Sequence, residues 1–396
     1  MGDKASSARL GAAKKIAFST IVLLGVSVLG LAAVELILRK LAPDYEYLVW
    51  APGIQLVFNP EPGAMPGISR RNRFTTNSSG IRGGEFSADD DYRILALGGS
   101  TTECMYLDDS EAWPRVLQRR LNGYQSDVRV WVGNIGRSGH STRDHILQLD
   151  LLVPRYPGID AVLLLVGAND LLLRLMHDDP NEPQLPEALE DQEKLLLHAF
   201  TEFPLRGKTF FGRSRVWRGI KRLTERAEAR RRVEVLDRAG AVSTVWRLAR
   251  QGAPKIDELP DVTLALEEYK ERLRTLADVA QEHGIRLILV TQPTLWRADL
   301  PPALDRLLLM GGRGFPVATS YYTVGVLTQA LQAYNAALWS VCGERRLDCV
   351  DLASLLPQNV SVFYDDFHFN ESGADKVGTA LARQLIRWPP FSEPVE

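Results

Sequence analysis

The stretch YRILALGGSTT, residues 92–102, decides the fold. Six mostly apolar residues stop abruptly at two glycines followed by hydroxyl side chains. A short apolar run of this kind reads as a strand buried on both faces, and the glycines read as a tight turn out of it. Four similar runs lie further along: VRVWV (128–132), DAVLLLV (160–166), IRLILVT (285–291) and LDCVDL (347–352). Between and after the runs, residues 111–121, 142–153, 262–283, 326–341 and 371–386 carry apolar side chains at spacings of three and four, the period of a helix packed on one face. The order is β-α-β-α repeated, which predicts a parallel sheet covered by helices on both sides.

The chain has 396 residues, 45% apolar and 24% charged, enough for a sizeable core. Its 47 basic and 49 acidic residues leave no cationic excess to hold phosphates, which argues against a nucleic-acid partner. The three cysteines lack the paired spacing of a structural metal site. One bridge, Cys342 to Cys349, is open to the chain if the compartment is oxidising and the preceding helix ends in time for a turn.

Residues 16–38, IAFSTIVLLGVSVLGLAAVELIL, hold one charge, Glu35, four residues before Arg39. As a helix this segment matches a bilayer core of about 30 Å. Lys4, Arg9, Lys14 and Lys15 precede it and only Arg39 and Lys40 immediately follow it, so the positive-inside bias makes residues 1–15 a cytoplasmic tail and places the rest across the membrane. A cleaved signal peptide is the competing reading, but its apolar region usually runs only about 7–15 residues. Met1-Gly2 with Ser6 also fits a myristoylation pattern, a short and commonly accidental match.

Residues 39–90, rich in Pro and Gly, read as a connecting segment, and residues 91–390 as the main domain with a long, mainly helical insertion at about 177–260. The insertion begins acidic, whereas residues 206–250 hold 14 Lys or Arg against four acids, including an amphipathic stretch with Val216, Ile220, Leu223 and Ala227. The two halves are expected to pair with each other, with anionic lipid headgroups the alternative for the cationic face. Leaving the sheet just after Asn169, the insertion is expected to control access to the ligand crevice.

In an open parallel sheet that crevice lies beyond the carboxyl ends of the strands. Four segments there are distinctive: GGSTT (98–102), NIGRSG (134–139), GAND (167–170) and DDFHFN (365–370). Ser100, at a Gly-rich turn into a helix, is a candidate nucleophile, although an isolated Gly-Ser-Thr is more often a helix cap. A serine hydroxyl needs a base, and His368 supplies one, with Asp365 or Asp366 to orient the ring. Donors for an oxyanion are the backbone N–H of Ser100, that of Gly139 or its neighbour Gly136, and the Asn169 amide. His140 and His145 read as exposed histidines on a loop and a helix. Asn77, Asn359 and Asn370 match the glycosylation pattern, but a glycan at Asn370 would crowd His368, which favours a bacterial envelope protein.

Taken in order, the four segments resemble the blocks of the SGNH (GDSL-type) hydrolase superfamily, over roughly residues 90–175 and 280–388. The resemblance implies a flavodoxin-like three-layer α/β/α fold, with Ser100 as nucleophile, Gly139 and Asn169 in the oxyanion hole, and Asp365 with His368 completing the triad. It implies neither metal nor organic cofactor. Gly99 stands where the family usually has aspartate. The expected activity is that of a membrane-anchored serine esterase, facing the periplasm of a bacterial inner membrane, that cleaves a carbohydrate or lipid ester through an acyl-serine, with acyl transfer as the close variant. From another class, the alternative is a non-catalytic envelope protein that binds polysaccharide on the same fold.

Overall fold

A computed structural model describes residues 2–41, 47–61, 63–68, 71–124, 127–156, 158–177, 189–203, 214–217, 220, 239–314 and 317–392. The chain divides into two compact units, residues 1–46 with 204–228, and residues 47–203 with 229–396.

The first unit contains helix α1 (Gly2–Leu41). Its segment Phe18–Leu38 is 21 residues long, has a mean hydropathy of 2.6 and holds no buried residue, and it is long and apolar enough to cross a membrane. Its single acid is answered within the same unit: Glu35 accepts hydrogen bonds from the Ser214 hydroxyl (2.9 Å) and from the backbone N–H groups of Arg215 (3.0 Å) and Val216 (3.1 Å). The side chain of Arg39, the partner expected from spacing, lies outside the described residues, as do Leu223, Ala227 and most of the acidic and basic halves of the insertion.

The second unit opens with an antiparallel pair, β1 (Gln55–Phe58) and β2 (Asn72–Thr75). Phe58 and Phe74 are buried there, so part of the expected connecting segment is packed structure. The central sheet consists of β3 (Tyr92–Gly98), β4 (Val130–Asn134), β5 (Ala161–Leu165), β7 (Arg286–Val290) and β10 (Asp348–Val350), all parallel, in the order β10-β7-β5-β3-β4. Each of the five expected runs supplies one strand. Residues 161–165 are wholly buried, as an apolar strand with helices on both faces must be. The short strands β6 (Lys255–Ile256), β8 (Gly312–Arg313) and β9 (Ser320–Tyr322) form a separate small sheet.

Helices α2 (Ser100–Glu103), α3 (Trp113–Gly123), α4 (Thr142–Leu147), α5 (Ala168–Met176), α6 (Leu189–Ala199), α7 (Ala239–Gly252), α8 (Thr263–Glu282), α9 (Val324–Arg345) and α10 (Glu371–Leu385) surround the sheet. On one side α3 packs on α10, and on the other α8 packs on α4 and α9, giving the three-layer α/β/α fold. The helix expected over 142–153 changes pitch instead: α4 widens into a π-helical turn at Gln148–Leu152 and tightens at Val153–Arg155, where Pro154 cannot donate to the ladder. After α9, Arg346 adopts a left-handed conformation that turns the chain back, and Cys342 and Cys349 come to a Cα separation of 6.3 Å and form the disulfide.

Candidate active site

The site begins where β3 runs out. Gly98 has φ +154°, and a Cβ there would lie 2.2 Å from Thr102 Oγ1 and 2.7 Å from the Leu165 carbonyl, so only glycine makes this turn without displacement. Ser100 thereby becomes the first residue of α2 at the carboxyl edge of the sheet. His368 Nε2 stands 2.7 Å from Ser100 Oγ. On the far side of the ring, Nδ1 lies 2.7 Å from Asp365 Oδ2 and 2.9 Å from Oδ1. The backbone N–H groups of Phe367 (3.0 Å) and His368 (2.9 Å) hold Asp365 Oδ1 in turn. Tyr364 stacks on the imidazole with ring centroids 5.5 Å apart. Burial pushes the His368 pKa down, but the charge and hydrogen bonds of Asp365 outweigh it and the net shift is upward.

The two rival aspartates separate cleanly. Asp366 faces away from the histidine and accepts from Trp296 Nε1 (2.8 Å) and from the N–H groups of Leu309 (2.8 Å) and Met310 (3.2 Å). It braces the loop, and burial, reinforced by Asp365, raises its pKa. The rival glycines separate on the same kind of evidence. The Gly136 N–H is committed to Asn134 Oδ1 at 2.8 Å, whereas among the described residues no acceptor meets the N–H of Gly139 or of Ser100.

Asn169, in the first turn of α5, donates from Nδ2 to the His140 carbonyl at 2.7 Å, which leaves the second amide hydrogen for a ligand. That Nδ2 occupies the space a side chain at position 99 would need: a Cβ on Gly99 would lie 2.3 Å from it. In this chain a side chain at position 99 requires the Asn169 amide to shift. A small cleft lies over these groups, lined by Ser100, Asn169 and His368 and, among its apolar side chains, Leu172, Met310 and Phe367. His140 lines it and Gly139, one residue earlier, does not.

Several expectations change. His140 and His145 are buried, not exposed, because Gln148 bridges them through its side-chain amide. Asn77 and Asn370 are buried as well, and Asn370 caps α10 by accepting from the Gly373 N–H, so neither presents an amide to a glycan. No described residue of the insertion lines the cleft. Instead α7 turns its arginines inward: Arg247 donates to the carbonyls of Ala64, Leu307 and Tyr364, and Arg250 to those of Met310 and Tyr322. This described part of the insertion acts as a brace on the loops around the site.

Glu103 was missed. Fully buried at the end of α2, it accepts from both the backbone N–H (3.0 Å) and the hydroxyl of Ser138 and so holds the loop just before Gly139. No signal in the sequence joins residues 103 and 138.

A serine–histidine–aspartate chain at the carboxyl edge of a parallel α/β/α sheet defines a serine hydrolase. The model of the GDSL-like lipase/acylhydrolase family matches residues 96–376, and the chain belongs to that family. It is an SGNH-type esterase acting on an ester substrate. Among solved structures, an acetylxylan esterase from Geobacillus stearothermophilus is similar at 15% identity, with 75% of this chain and 93% of that one covered and a TM-score of 0.38. The psychrotrophic esterase EstA from Pseudoalteromonas sp. is similar at 13% identity, with 75% and 98% covered and a TM-score of 0.37. No curated protein matches the chain.

Proposed function

We propose that this esterase is held in a membrane by α1, works outside the cytoplasm, and cleaves a carbohydrate or lipid ester through an acyl-enzyme on Ser100. The 2.7 Å approach of His368 Nε2 to Ser100 Oγ, with Asp365 behind the ring, is the observation that carries the chemistry. His368 takes the Ser100 proton as Oγ attacks the ester carbonyl, and returns it to the departing alcohol. Water, activated by the same ring, then releases the acid. The N–H groups of Ser100 and Gly139 and the Asn169 amide stabilise the oxyanion, each donor worth about 3 kcal/mol of barrier. A sugar hydroxyl in place of water turns hydrolysis into transfer at the same site.

The basic residues before the apolar segment support a cytoplasmic N-terminus, and the Cys342–Cys349 bridge suits an oxidising compartment beyond the membrane. A polysaccharide-binding protein without catalysis has no use for an imidazole aligned on a serine hydroxyl. A fluorophosphonate probe on the full-length protein tests the mechanism: labelling that disappears in Ser100→Ala supports it, and an unlabelled wild type refutes it. Turnover over esters of increasing acyl length and over acetylated glycans then identifies the substrate class.

A further inference from the structure

Behind the oxyanion loop, a second cluster of polar side chains joins residues that the esterase chemistry does not use. We propose that His140, Asp144 and His198 bind one divalent transition-metal ion of the zinc type, fastening α6 to the loop that supports Asn169. One ligand atom from each residue lies within 4.8 Å of the other two. Two imidazoles and a carboxylate are a donor set that suits zinc, with a fourth position left for water.

Each inner ligand is held from behind, and its second polar atom is turned toward His198. Asp144 Oδ2 accepts from the Ser141 N–H (2.8 Å) and hydroxyl (3.2 Å), which leaves Oδ1 directed at His198 Nδ1, 2.6 Å away. His140 Nδ1 is 2.8 Å from the Gln148 amide, so Nε2 points the other way, toward the His198 carbonyl at 3.0 Å. Metal-bound histidines are oriented by such an outer shell. Gln148 sits in the π-helical turn, a distortion frequent at functional sites.

As a ligand, His140 must carry its proton on Nδ1. Exchanging the oxygen and nitrogen of the Gln148 amide provides the acceptor, at the cost of the 3.3 Å contact from that amide to the Ala199 carbonyl and of the hydrogen bond from His140 Nε2 to the His198 carbonyl, which the ion replaces. His145 then accepts the amide at Nδ1 and carries its proton on Nε2, the buried atom that already has no partner. Ligands of a tetrahedral zinc at about 2.0–2.1 Å stand roughly 3.3 Å apart, so the 2.6 Å contact between Asp144 and His198 must open by about 0.7 Å while spacings of up to 4.8 Å within the cluster close by as much as about 1.5 Å. The His198 side chain is 57% exposed, which leaves it room to move and gives the ion a path in from solvent. Because the His140 carbonyl accepts from Asn169 Nδ2, the bound ion would tie a distant part of the chain to the support of an oxyanion donor.

The test uses full-length, tag-free protein in detergent, stripped with EDTA and titrated with Zn²⁺ alone by calorimetry and by competition with a chromophoric chelator. One equivalent binding with micromolar or tighter affinity, a raised melting temperature, and at least a tenfold loss of affinity in His198→Ala support the site. Absence of stoichiometric binding to the wild type, or wild-type affinity retained in His198→Ala and in Asp144→Asn, would show that the cluster is only a hydrogen-bonded histidine–aspartate pair. Melting in EDTA establishes that each variant is folded, and the wild-type melting shift is decisive without any substitution.

Discussion

Replacing Gly99 by alanine isolates the Asn169 amide, the proposed oxyanion donor, from everything else in the site. Gly99 has φ −79° and ψ −153°, an extended conformation open to any residue, so the substitution adds no backbone strain. Its one severe contact is the new Cβ, 2.3 Å from Asn169 Nδ2; the next nearest atoms, Asn169 Cγ and the His140 carbonyl oxygen, lie at 3.4 Å. Restoring ordinary contact distance displaces the amide by about 1 Å, and a misplacement of that size costs on the order of 100-fold in rate. Loss of the donor outright sets the ceiling, about 100- to 1,000-fold, or roughly 3–4 kcal/mol. We expect kcat for a p-nitrophenyl ester to fall on the order of 100-fold in Gly99→Ala, with KM and melting temperature nearly unchanged. Asn169→Ala should cause a similar loss, and the double variant should be no worse than Asn169→Ala alone, because both act on one group. Wild-type kcat in Gly99→Ala, or additive losses in the double variant, would refute the reasoning.

Other outcomes follow from the same geometry. Ser100→Ala and His368→Ala should each lower ester turnover by several orders of magnitude while melting cooperatively, as measured by steady-state kinetics beside calorimetry. Asp365→Asn should reduce kcat with little loss of stability, whereas Asp366→Asn, which disturbs three buried N–H partners, should lower stability by about 1–3 kcal/mol in denaturant titration. His368 acts as a base only when neutral, and its pKa is raised above 6.5, so kcat/KM should fall as pH drops through a value above 6.5; an acid limb below that value contradicts the Asp365 interaction. Denatured, non-reduced protein should show one reactive thiol, that of Cys104, and three would exclude the Cys342–Cys349 bridge.

Much of this protein is legible without coordinates. The five strands stand out because burial on both faces demands unbroken apolar runs, and the apolar helix of α1 because a membrane core demands length without charge. Ser100, Asn169 and the Asp365–His368 pair stand out as candidates because each belongs to a short local pattern at the end of a strand. Tertiary structure decided the rest. Spacing cannot separate Asp365 from Asp366, or the N–H of Gly139 from that of Gly136; which of them is already engaged depends on distant partners, and Trp296, Leu309 and Met310 occupy Asp366 while Asn134 occupies the Gly136 N–H. Glu103 beneath Ser138, the inward arginines of α7 and the meeting of His198 with His140 and Asp144 join residues tens of positions apart. Local patterns record what a segment needs in order to form a strand, turn or cap, whereas the satisfaction of a buried polar atom is set by whichever distant segment the fold carries to within hydrogen-bond reach.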